Sequence, residues 1–195
     1  MIYSVRGNLI LMDAGFAVVE CGGVGYRVQT SVSTQKQLKL NTEVMLYTHM
    51  NVREDAMELF GFASKSELNT FRMLIGITGV GPKVALAILS ELSSEQIAMC
   101  VSAGDSKTLT RANGVGPKLA QRIVLELKDK IKGISTESFD PGKGTVIADT
   151  GNVSKAVAAL AVFGYSAADV TPILSRLDPG MTVEEMITAT LRQMA

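Results

Sequence analysis

The chain has no tryptophan, a single histidine and two cysteines, and aromatic residues make up only 5% of its 195 positions. Single-strand binders commonly stack bases on aromatic rings. Here Tyr3, Tyr26 and Tyr47 fall in strand patterns that suit core packing, so little is left for that role. One histidine, His49, excludes most histidine-based metal sites and counts against a Ser-His-Asp hydrolase. Cys21 and Cys100 lie far apart and in no Cys-x-x-Cys frame, which excludes a disulfide scaffold and a zinc ribbon; both sit in apolar patterns and are expected to be inert core. Long hydrophobic runs are also missing. The longest uncharged stretch, 156–168, has 13 residues, against roughly 20 for a membrane span. Arg6 is followed by only a few apolar residues before Asp13, too short a run for a secretory core. No membrane association is expected, and the cytoplasm is the expected compartment.

An excess of either charge is absent too, since 19 Lys+Arg balance 19 Asp+Glu. The neutrality is a sum of unlike parts. Residues 1–64 carry 5 basic and 6 acidic side chains (−1), residues 65–132 carry 10 and 6 (+4), and residues 133–195 carry 4 and 7 (−3). The middle third is the part suited to phosphate. With 47% apolar and 19% charged residues, wholesale disorder is excluded.

Strand patterns run over Tyr3–Met12, Phe16–Cys21, Val24–Thr30, Glu43–Val52 and Met57–Phe62, with turn residues at Asp13-Ala14-Gly15 and Gly22-Gly23 and a short helix within Ser31–Lys39. Five strands with a small helix between the third and fourth predict an OB-fold barrel. Ser64-Lys65-Ser66-Glu67 then has the form of a capping box, followed by apolar residues at helical spacing. From Gly133 to Gly151 four glycines, one proline and five Ser/Thr mark a linker. As a flexible coil it would span about 24 Å, enough for the tail to move independently. Beyond it, helix starts at Ser166-Ala167-Ala168-Asp169 and Thr182-Val183-Glu184-Glu185 and an apolar stripe from Val153 to Ala161 predict three short helices.

The most informative feature is a duplication at a spacing of 35: Gly79-Val80-Gly81-Pro82-Lys83-Val84-Ala85 and Gly114-Val115-Gly116-Pro117-Lys118-Leu119-Ala120, which differ only at Val84 against Leu119. Proline suits the first turn of a helix, so each copy predicts a helix-hairpin-helix. The glycines permit a sharp turn and clear the approach to backbone N–H groups that can face a phosphate, with Lys83 or Lys118 beside it. A tight turn between packed helices would account for one copy; two copies that keep Pro-Lys in a +4 segment point to phosphate. Such contacts position a duplex without reading its bases. Neither copy is a nucleotide loop: Pro82 and Lys83 stand where Walker A needs Lys and Ser/Thr, Arg111 replaces the first glycine of the second copy, and Val84 and Leu119 break Gly-x-Gly-x-x-Gly. No cofactor or metal is expected. Glu54-Asp55, where the last two strands connect, reads by itself as a solvated acidic turn.

This order of barrel, paired hairpins, linker and helical tail resembles the RuvA family, the Holliday-junction-binding subunits of the bacterial branch-migration machine. The resemblance runs the length of the chain and includes the opening Met1–Gly7, the Gly22–Tyr26 turn and Arg53-Glu54-Asp55-Ala56. It implies an OB-fold domain at 1–63 for oligomerisation and facing DNA, an all-α tandem helix-hairpin-helix domain at 64–132, a flexible linker at 133–151, and a three-helix UBA-like module at 152–195. It further implies a homotetramer, alone or as two facing tetramers, that holds a four-way junction open without sequence preference in recombination and repair, including the SOS response to DNA damage. Gly79, Val80, Gly81 and Lys83, with Gly114, Val115, Gly116 and Lys118, would grip minor-groove phosphates. Glu54 and Asp55 would form an acidic pin near the fourfold centre. The tail would dock on the hexameric ATPase RuvB, with the resolvase RuvC in the larger complex, and the subunit itself would have no catalytic residue. Competing classes are a helix-hairpin-helix repair enzyme, for which Asp105 and Asp129 stand alone without a metal or acid-base partner motif, and a duplex-binding adaptor with no junction preference.

Overall fold

The computed structural model describes residues 1–137, 152–178 and 180–194. Its contacts divide the chain into two compact units, Met1–Ser93 with Arg111–Val115, and Ser94–Thr110 with Gly116–Ala195.

In the first unit, β1 (Ser4–Asp13), β2 (Phe16–Cys21), β3 (Val24–Gln29), β4 (Glu43–Val52) and β5 (Met57–Phe62) close into a barrel in the order β1-β2-β3-β5-β4. β1 is long enough to pair with β4 through Ser4–Asn8 and with β2 through Asn8–Asp13, with a bulge between Leu9 and Leu11 that bends it between the two partners. The closing contact is a short parallel pairing of β3 and β5, Gln29 with Phe60. Beside it, a Cβ on Gly61 would lie 2.4 Å from Val28 Cγ1, so a side chain there would force the strands apart. Alternation along the strands sends Val5, Leu9, Val19, Val28 and Leu46 inward. The helix α1 (Val32–Gln35), capped by Ser31, fills the gap between β3 and β4.

The barrel core continues into α2 (Lys65–Ile75). Phe71, fully buried, stacks on Phe60 at 5.2 Å and packs on Phe62 at 4.9 Å and on His49 at 5.6 Å. Ser64 caps α2 by accepting from Glu67 N–H at 3.1 Å. The Glu67 carboxylate, buried, accepts from the Ser31 hydroxyl and from Thr34 Oγ1 at 2.6 Å, which ties α2 to α1. α3 (Pro82–Glu91) follows and packs on α2 and α1. Because Phe71 fills the junction of barrel and helix, Phe71→Ala is expected to destabilise the protein by about 3–5 kcal/mol, measured as a lower urea midpoint, with Phe71→Leu costing much less.

In the second unit, α4 (Ser94–Ala103), α5 (Ser106–Leu109) and α6 (Pro117–Glu137) bury Ile97, Val101, Leu109, Ile123 and Leu127. α6 passes through Gly133 to Glu137, so the backbone at 133–137 is helix where a linker was expected. One glycine costs a helix only about 1 kcal/mol, too little to stop one already propagated from Pro117. The expected linker from 138 to 151 lies outside the described residues. The tail forms α7 (Asn152–Val162), α8 (Ala167–Leu174) and α9 (Val183–Met194). α8 and α9 start at the expected caps: Ser166 accepts from Asp169 N–H at 3.2 Å, while Thr182 and Glu185 bond reciprocally at 2.8 and 3.3 Å. The tail helices pack within the second unit. α9 packs on α4, α7 packs on α6, and the Tyr165 hydroxyl donates to the Glu95 carboxylate. Three short helices bury too little surface alone, and the body covers what they leave.

Candidate nucleic-acid interface

α2 ends at Ile75 with Gly76 as its C-cap, and the chain turns back through Val80 N–H to Ile77 O at 3.0 Å. Gly79 has φ +93°, a left-handed conformation that a side chain would strain. Gly81 is extended (φ −82°, ψ 168°) and is the N-cap of α3, with Pro82 in the first turn. The first backbone bond of that helix is Ala85 N–H to Gly81 O at 3.0 Å. Thirty-five residues on, the bonds repeat: Val115 N–H to Ala112 O at 3.1 Å, Gly114 at φ +82°, and Ala120 N–H to Gly116 O at 2.9 Å.

The N–H groups of Lys83 and Val84, and of Lys118 and Leu119, precede those first helical bonds and have no acceptor within their helices. No side chain caps Gly81. Each helix start therefore presents free donors at its positive end, with an exposed lysine alongside, and this is an arrangement for an anion. Val80 and Val115 differ from the rest of the expected set. They are only 4% and 6% exposed, and their N–H groups are used within the turn, so they anchor the hairpins from the core.

Gly81 and Gly116 separate the demands of folding from those of binding. Both are exposed, neither has positive φ, and a Cβ on either would meet nothing within 4 Å. The folded chain does not require glycine at these two places. Glycine at both leaves the approach to the adjacent amides open.

The β4–β5 turn is closed by Arg53 N–H to Ala56 O at 2.8 Å, which leaves Glu54 and Asp55 exposed at its tip. Within the first unit, this turn and the start of α3 line one cleft of about 340 Å³, with Arg53, Asp55 and Glu58 contributed by the turn and β5, and Gly81 and Lys83 by the hairpin. Glu54 is not among its lining residues. The strand pattern assigned no role to Arg53, because nothing local in sequence brings the turn to α3.

The remaining candidates fall to structural roles. Burial, and then the Arg72 guanidinium, hold the His49 imidazole below its usual pKa, favouring a neutral ring against Phe71. Cys100 is buried, whereas Cys21 is half-buried and its thiol donates to Arg6 O at 2.9 Å. Tyr3 is 59% exposed, not packed in the core, because it precedes β1 and meets only the edge of Tyr47. Among the described residues, no three His, Cys, Asp or Glu side chains converge as a metal site, and no single helix is long and apolar enough to cross a membrane.

Two glycine turns that each open a helix with free amides and a lysine define a helix-hairpin-helix protein, here built onto an OB-like barrel. Residues 71–129 match the family described as SAM-like helix-hairpin-helix tandem, and residues 1–61 match the RuvA N terminal domain. Proteins named Holliday junction branch migration complex subunit RuvA align along the whole chain. That of Acetivibrio thermocellus is 40% identical over 100% of this chain and 99% of its own length, and that of Chlorobaculum parvum is 41% identical over 100% and 98%. A Clostridium botulinum protein of the same name is 38% identical over 97% of each. The chain belongs to the RuvA family.

Proposed function

We propose that this chain binds four-way DNA junctions by their phosphate backbone and acts as the DNA-holding, non-catalytic subunit of a branch-migration complex. The observation that carries this reading is the pair of open glycines, Gly81 and Gly116, at helix starts where neither backbone conformation nor packing calls for glycine. In this reading the free amides beside Gly81 and Gly116 take phosphate oxygens, Lys83 and Lys118 add charge, and Gly79, Gly114, Val80 and Val115 hold the turns in shape. Glu54 and Asp55 act as a pin that keeps strands apart where the arms meet. Residues 1–63 and 64–132 serve as barrel and hairpin domains, and the tail from 152 engages the ATPase RuvB, with RuvC joining the larger complex. Self-association as a tetramer is supported by the barrel's exposed apolar side chains, among them Ile10 (49%), Leu11 (46%) and Val24 (54%), which water alone would leave uncovered.

The test is competition between a four-way junction and a linear duplex of the same sequence, over a range of salt. Two hairpins in each of four subunits make about eight phosphate contacts, for which affinity should fall about 10³–10⁵-fold between roughly 50 and 200 mM salt. The junction should win at every salt concentration. Equal affinity for junction and duplex would reduce the chain to a duplex-binding adaptor.

A further inference from the structure

The tail keeps its large apolar side chains covered. Among the described residues from 152 on none of them is exposed, whereas the barrel exposes Ile10, Leu11 and Val24. The two aromatics of the tail are both engaged: Phe163 is buried, and the Tyr165 hydroxyl donates to the Glu95 carboxylate on α4. A protein partner draws most of its binding energy from a few large side chains seated in desolvated pockets, and in this state the tail presents no apolar anchor. The tail also has contacts of its own to keep when others are given up, since α7 packs on both α8 and α9 and Asn152 Nδ2 donates to Met181 O at 2.9 Å. Its contact with α4 is the less complete one. A cleft of about 380 Å³ remains there, lined by Ser102 and Ala103 on α4 and by Glu184, Glu185, Ala189 and Arg192 on α9. The Ser102 hydroxyl oxygen is buried with no hydrogen-bond partner among the described residues, a penalty that a fully matched contact would not carry.

We propose that α4 is an autoinhibitory partner of the tail: the docked tail is a closed state, and α4 competes with the ATPase for the apolar face that α7, α8 and α9 turn inward. The proposal deepens the reading of the tail as the part that engages the ATPase, and rests on it. Three short helices bury too little among themselves, so that face is covered by the body of the chain in one state and by the partner in the other. An incompletely matched contact suits such an exchange. Because apparent affinity falls in proportion to the fraction of open tails, a closed state favoured about tenfold would weaken engagement about tenfold, and a bound ATPase would hold the tail open.

Substitutions on α4 test the competition without altering any residue of the tail. Ala103 is exposed at the end of α4 and lines the cleft with Glu184 and Glu185, so Ala103→Glu should repel α9 and Ala103→Lys should draw it in. Ser102→Ala adds no charge and removes the buried unpaired hydroxyl, which should favour the closed state. Affinity for the ATPase is measured by biolayer interferometry with the full-length variants, hydrogen exchange in α4 reports closure, and thermal unfolding and junction affinity check that the body is intact. The expected result is a gain of about threefold or more for Ala103→Glu and a loss of similar size for Ala103→Lys and Ser102→Ala. Amides of α4 should exchange faster once the ATPase is bound. Equal affinities in all three variants and the parent would overturn the proposal. So would α4 amides that stay equally protected in the complex, since the tail would then engage its partner without leaving α4. If the two charges at Ala103 act but Ser102→Ala does not, α4 meets the ATPase by charge alone and the competition fails. A parent protein that does not bind the ATPase would overturn the reading of the tail itself, and the competition with it.

Discussion

Gly81→Ala combined with Gly116→Ala is expected to leave the protein folded and to weaken junction binding about 100-fold or more. The folded state can accept the two methyl groups, since each backbone has an ordinary φ and each new Cβ would meet open space. Alanine is a poorer N-cap than glycine, which sets the cost at about 1 kcal/mol per site, a few degrees in Tm. Binding responds differently. A methyl group between the helix amides and a phosphate oxygen breaks charge-assisted hydrogen bonds worth about 1.5–3 kcal/mol each, and one lost at each of the two hairpins already amounts to about two orders of magnitude. Gly79→Ala with Gly114→Ala makes the contrast. These residues sit at φ +93° and +82°, where a side chain costs about 1–2 kcal/mol per residue and pulls the turn out of shape, so stability and binding should fall together. Circular dichroism melts and fluorescence anisotropy with a labelled junction measure the two effects. Unchanged affinity in the Gly81/Gly116 variant would return the repeated motif to a tight turn between packed helices.

The hairpins were legible because both causes of the motif are local. Pro82 and Pro117 mark helix starts, and a 35-residue repeat needs no knowledge of distant contacts. The strands were legible for the same reason, from alternation and from glycine turns, as were the caps at Ser64, Ser166 and Thr182. What escaped was set by long-range packing. The stacking of Phe71 on Phe60 and Phe62 seats α2 on the barrel, and the same first unit gathers the β4–β5 turn and the start of α3 around one cleft. Arg53 and Lys83 are thirty positions apart in the chain, and no periodicity connects them. The docking of α9 on α4 is equally silent in sequence, since a stripe of apolar residues does not say which surface it will cover. Tyr3 shows the converse error: an aromatic at the edge of a strand pattern was placed inside, though it lies just before the first ladder pair, Ser4 with Tyr47.

Neutralising the tip of the β4–β5 turn, as Glu54→Gln with Asp55→Asn, should tighten DNA binding, opposite in sign to most losses of charge. Both side chains are exposed and have no partner among the described residues, so the folded state loses no contact when they are replaced. A carboxylate about 10 Å from a phosphate repels it by about 0.4 kcal/mol in water, and eight such carboxylates in the proposed tetramer would sum to about 3 kcal/mol. Salt near 0.1 M, with a Debye length of about 10 Å, cuts this to about 1 kcal/mol, or about fivefold in affinity. Duplex has no converging arms to be repelled apart and gains access to the centre as the charges go, so the preference for junction over duplex should shrink while both affinities rise. The two residues should not contribute equally. Asp55 lines the cleft with Lys83, whereas Glu54 does not, so Asp55→Asn alone should have the larger effect at the first hairpin, and Glu54→Gln alone should act only at a distance and fade at high salt. Titrations of junction and duplex with the double and single variants at two salt concentrations measure all of this. Affinities and junction-to-duplex ratios that match the parent protein would leave Glu54 and Asp55 as a solvated turn with no part in holding strands apart.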